Sequence, residues 1–166
     1  MGATDRLRTT HNLHDYVSMV QEVGAARRGE DSGESIELLI VPKRYKRRLL
    51  GRRLGVREIW HNQPVDNTWR TTWEEMPLVI HVATLENFYA QLFIHTGPQL
   101  FVRYVENKAA AKGLELTDQG LLSRDKTPLT IPDEAGIFSF VGIKYVAPQE
   151  RAAFATMNGR RYNGSA

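Results

Sequence analysis

The stretch VGAARRGEDSGESIELLIVP, Val23 to Pro42, has the makings of a phosphate-handling loop that feeds a strand. That strand carries one carboxylate, Glu37. Immediately after it, Lys43 to Arg57, KRYKRRLLGRRLGVR, holds eight Lys or Arg residues and no acid. Such a block attracts polyanions and repels itself. Tyr45 and several leucines are interleaved with Lys43, Arg44, Lys46, Arg47, Arg48, Arg52 and Arg53. That mixture favours contact with nucleic acid over a solvated loop that only keeps the protein in solution. The chemistry in prospect is therefore phosphate binding, with or without transfer.

Composition narrows the rest. The 166 residues suit one compact domain or two small subdomains, and the hydrophobic fraction of 42% and charged fraction of 25% are ordinary for a globular chain. With no cysteine there are no disulfides and no thiolate metal sites. No apolar run reaches membrane-spanning length, so no membrane partner is expected. The opening MGATDRLRTTHNLHD lacks the apolar core of a secretory signal, which makes a cytoplasmic location the expectation.

The elements that must position these groups follow from periodicity. Asn12–Val17 reads as a helix and Met19–Val23 as a strand. SIELLIV, Ser35–Val41, reads as a buried strand stopped by Pro42. The basic block follows as a helix or irregular insertion broken by Gly51 and Gly55. TWRTTW alternates Trp69, Thr71 and Trp73 on one face, and Glu74–Glu75–Met76 links it as a hairpin to PLVIHVAT. Both tryptophans are expected to pack rather than to stack on bases. Leu85–Phe93 reads as a helix, His95–Pro98 as a turn with Thr96 capping the next helix, and Leu100–Lys112 as that helix, stopped by Gly113. LELTDQGLL and TPLTIP are extended pieces, DEAGIFSFVG is a helix opened by acids, and the tail after Arg151 is expected to fray.

Three stretches in fixed order carry a family resemblance: VGAARRG before a strand, ATLENFYAQLFIHTGP in mid-chain, and GLELTDQGLL with IPDEAGIFSFVGIKYVAPQERA near the end. Together, over about Val20 to Arg151, they resemble the palm and thumb of family X DNA polymerases, the polymerase-beta-like nucleotidyltransferases. The small phage- and bacteria-type versions are the most similar. The resemblance implies an α+β fold, with a nucleotidyltransferase palm (a mixed sheet with flanking helices) over residues 1–93. A small α/β thumb over 94–151 and a C-terminal tail over 152–166 complete it.

It also implies roles. Gly24, Arg27 and Arg28 match the phosphate-binding loop, while the phosphate-binding serine of the family is Ala25 here. The family's paired metal-binding acids fall on Ser35 and Glu37, and its third acid on Val79. Positions that contact sugar and base fall on Ile94, His95, Val102 and Glu106, with Thr96 and Gly97 retained. Two divalent cations about 4 Å apart repel by roughly 17 kcal/mol at an effective dielectric of about 20. One carboxylate beside a serine and a valine does not offset that. The expectation is a degenerate site with no catalytic residue intact and no cofactor. The retained function is DNA binding through the basic block and through Arg103, Lys108 and Lys112. The alternatives are an active nucleotidyltransferase whose rebuilt magnesium or manganese site uses Glu37 and His81, helped by Glu34, and a protein-interaction module whose old cleft is filled by Ile94, Val102 and Val79.

Overall fold

The computed structural model describes residues 2–30, 33, 35–56 and 67–163, with side chains to residue 157. Glu34, Arg57 and the last three residues of the expected tail lie outside them. The fold is α+β, and the chain divides into two compact units, Met1–Glu22 with Ser32–Leu85, and Val23–Asp31 with Glu86–Ala166. No described helix is long and apolar enough to cross a membrane.

The first unit is built on a four-stranded mixed sheet of β1 (Val17–Glu22), β2 (Ile36–Pro42), β3 (Thr68–Trp73) and β4 (Met76–Val82), in the order β1-β2-β4-β3. β2 and β4 run parallel, while β1 and β3 flank them antiparallel. Alternation sends Ile36, Leu38, Ile40, Leu78, Ile80 and Val82 to one face, where Trp69 and Trp73 join them. Leu7 from α1 (Ala3–Thr10) and Leu50 from α3 (Arg47–Arg53) close this core. Each fully buried side chain of this size contributes about 1.5–3 kcal/mol. Trp69 and Trp73 are thus packing residues, 1% and 8% exposed.

Several boundaries differ from the sequence expectation. The helix expected over Asn12–Val17 is only a 3-10 turn at Leu13–Asp15, because Asn12 takes a left-handed φ of 48° and β1 already starts at Val17. α1 was not anticipated; its polar sequence buries only Thr4 and Leu7. The hairpin link is two residues rather than three, since Met76 pairs with Trp73. Glu74 and Glu75 both take positive φ, 47° and 66°, as the tight turn matching strand twist requires. Gly51 does not break α3 but is buried within it; Gly55, at φ 73°, follows its end.

The second unit is mostly helical: α2 (Gly24–Arg27), α4 (Phe88–Thr96), α5 (Gln99–Ala111), the hairpin β5 (Glu115–Thr117) and β6 (Gly120–Leu122), α6 (Glu134–Val141) and α7 (Arg151–Asn163). Phe93, Phe101 and Phe138 meet at its centre, with ring centroids 5.7–6.2 Å apart. α6 starts as its acids predict, with the Asp133 carboxylate accepting from the Gly136 N–H at 2.9 Å. α4 lies three residues later than expected, so the junction of residues 93 and 94 falls inside a helix. Thr96 is therefore not a cap for the next helix; it is the last residue of α4, and its buried hydroxyl donates back to the Leu92 carbonyl. α7 begins at Arg151, and Arg151 and Ala155 are buried in this unit's core.

Candidate functional site

In the first unit the parallel β2–β4 pair sets the geometry. Glu37 lies opposite Val79, and Leu39 opposite His81, on the sheet face turned away from the tryptophan core. Ser35 immediately precedes β2. The acid-pair and third-acid positions implied by the resemblance are thus brought together on neighbouring strands, and one of the three carries a carboxylate. His81, 7% exposed, approaches Glu37 with Nε2 2.7 Å from Oε1. A carboxylate only accepts, so Nε2 carries the hydrogen of this bond, and Nδ1 lies 3.4 Å from the Thr68 hydroxyl. Arg70, opposite Val79 on β3, is exposed and brings a guanidinium to the same face. Within the first unit this group has one carboxylate and one imidazole, hydrogen-bonded to each other.

The phosphate-loop residues lie in the second unit. Gly24 takes a φ of 67° at the start of the single turn α2. Arg27 Nη1 donates to Glu134 Oε2 and to the Thr96 hydroxyl, both at 2.6 Å, and Nη2 donates to Glu134 Oε1 at 3.3 Å. Glu134 Oε1 also accepts from Arg151 Nη2 at 2.6 Å. The side chains of Arg27, Glu134 and Arg151 are 17%, 7% and 0% exposed. Arg151 lies among the faces of Phe93, Phe101 and Phe138, 5.3–5.6 Å from each centroid. Its Nε donates to the Val146 carbonyl. Arg28 is spread between the Thr96 carbonyl, reached by Nη1 at 2.7 Å, and the carboxylate of Glu30. That pairing holds the Glu30 carboxyl below its ordinary range. Gly97, at φ 60°, leaves room for Arg28: a Cβ there would stand 3.3 Å from Nη1.

The basic segment belongs to the first unit. Lys43, Arg44, Lys46, Arg48, Arg52 and Arg53 are exposed, and Arg47 is half-buried. Arg47 Nη2 donates to Asn67 Oδ1 at 3.0 Å, its guanidinium lies 5.9 Å from the Trp69 ring, and burial lowers its pKa. Arg53 donates to the His11 carbonyl and packs over Tyr16, with Lys46 also near that ring. Burial, then the charge of Arg53, lowers the pKa of the His11 imidazole.

On α5 of the second unit Arg103 is exposed, Lys108 lies 5.5 Å from the Tyr104 ring, and Lys112 extends over Gly142 at the end of α6. Val102 is core, 6% exposed, and Ile94 packs against that core; His95 and Glu106 are half-buried. Sequence reasoning passed over Glu134 and Arg151, whose pairing with Arg27 has no local signature beyond an acid at a helix start and a long basic side chain in an aromatic setting.

Residues 91–152 match the family model of the DNA polymerase beta thumb. The match spans α4 from Gln91 onward, α5, the β5–β6 hairpin, α6 and the first residues of α7. It supports a polymerase-beta-like family for this segment. A search of curated proteins finds no match.

Proposed function

We propose that this is a polymerase X-like protein that binds DNA through its basic residues and does not transfer nucleotides. The observation that carries the reading is the thumb match over residues 91–152. In this proposal residues 1–93 act as the palm, 94–151 as the thumb and 152–166 as a C-terminal extension. Loss of transfer is supported by the donor set on β2 and β4. A magnesium pair takes oxygen ligands, several of them carboxylates. Glu37 is a lone carboxylate between Ser35 and Val79, and its Oε1 faces the Nε2–H of His81. Those residues do not fit a pair of ions.

Phosphate contact asks less of a site. It requires accessible positive charge, which the exposed side chains of Lys43, Arg44, Lys46, Arg48, Arg52, Arg53 and Arg103 supply. Arg27 and Arg28 have a different standing: both are held by partners in their own unit, so a phosphate would compete with Glu134 and Glu30 for them. A protein-binding cleft lined by Ile94 and Val102 is less well supported, since both pack in the core of the second unit.

Anisotropy titrations of labelled DNA over a range of salt test the reading. With about six phosphates engaged, log affinity is expected to fall against log salt with a slope of about −5. Binding that ignores salt, or no binding at low salt, rejects it. Primer extension with magnesium or manganese, abolished by Glu37→Gln, would instead establish a working transferase.

A further inference from the structure

Tyr45 is presented outward at a conformational cost. It is 85% exposed, whereas Tyr16, in the same unit, is half-buried and flanked by Lys46 and Arg53. The turn that carries it is closed by the Lys46 N–H donating to the Lys43 carbonyl at 2.9 Å, and its base is tied down by the Lys43 N–H donating to the Tyr16 carbonyl at 2.8 Å. Tyr45 takes φ 65° at the third position of that turn, a place that favours Gly or Asn. A bulky aromatic residue in the left-handed region is uncommon, and such strain concentrates at functional sites. Arg44 lies 4.8 Å from the ring centroid, and no other ring contact to Tyr45 is made among the described residues. Lys43, Arg44 and Lys46, its neighbours in the chain, are exposed as well.

We infer that Tyr45 is a stacking residue for unpaired nucleobases, so that the basic turn Lys43–Lys46 distinguishes single-stranded DNA, or a strand end, from closed duplex. This rests on the nucleic-acid reading above and sharpens it. An exposed aromatic ring in a basic turn gives a base a π-face while the neighbouring charges hold its phosphates. In a closed duplex the base faces are already stacked, so the ring has nothing to add and only the charges count.

The test compares oligo(dT) with a blunt duplex of equal length, titrated against the full chain and against Tyr45→Phe, Tyr45→Ala and Tyr45→Gly. Tyr45→Phe is expected to keep oligo(dT) affinity. Tyr45→Ala and Tyr45→Gly are expected to lose about tenfold on oligo(dT) and less than about twofold on duplex. Tyr45→Gly should also melt at or above the temperature of the unaltered protein, because it relieves the positive φ; a ring needed for folding would lower it. Equal losses on both DNAs, or none on oligo(dT), overturn the stacking role while leaving DNA binding in place. If the unaltered protein binds neither DNA at low salt, both readings fall.

Discussion

The two units handle charge in opposite ways. On the β2–β4 face of the first unit, Glu37 and His81 form a pair whose carboxylate side chain is still 34% exposed. In the second unit, Glu134 is 7% exposed and serves two guanidiniums, one of them fully buried. His81 is buried while Glu37 keeps part of its side chain in water, so the pair is a partly buried hydrogen bond that contributes about 1 kcal/mol. A buried cluster is different: each charge has left water, and removing one partner strands the others. The first arrangement stands where the resemblance expected reactive acids. The second is part of the core, although it includes an arginine expected to hold phosphate. Matching a motif residue by residue therefore does not establish that the side chain is available.

Glu134→Gln should break the contrast most forcefully. It leaves Arg27 and Arg151 facing a neutral amide, at an expected cost of about 3 kcal/mol. Urea unfolding measures it, and a loss of less than about 1 kcal/mol would mean that the cluster does not hold the second unit together. Glu37→Gln is the matching change in the first unit. It keeps an acceptor for His81 Nε2 and should cost about 1 kcal/mol or less, with DNA affinity unchanged. A larger loss would make the pair structural and remove the contrast. The smallest effect concerns His11, whose pKa is lowered from 6.5 by burial and by Arg53. As pH falls through the unfolded value the unfolded chain takes up a proton that the folded one still refuses. Stability is therefore complete above that window and declines below it, levelling once the folded imidazole also charges. Melting temperatures between about pH 5 and pH 8 should decline less steeply for His11→Gln, and identical profiles would remove the assignment.

Much of the first unit's sheet was legible in the chain. SIELLIV declared a buried strand by its apolar, β-branched run, and TWRTTW a strand with Trp69 and Trp73 on one face, and both tryptophans lie in the core. The helix boundaries around α4 were less legible. Pro98 and Gly97 mark the break correctly, but the retained Thr96 side chain reads equally well as a cap or as a helix end. Its burial against Leu92 and Arg27 decides that. α1 escaped notice because only two of its side chains are buried, too few to set a period.

By itself the sequence determined the alternating face of Trp69, Thr71 and Trp73 and the glycine stop after α5. These follow from rules that act over a few residues: side-chain period, backbone freedom and residue type. Tertiary structure alone decided what the arginines of the loop do. Arg27 and Glu134 are 107 residues apart in the chain. Whether a guanidinium meets a carboxylate or a phosphate depends on which groups folding places within 3 Å of it and removes from water, and no local pattern encodes that.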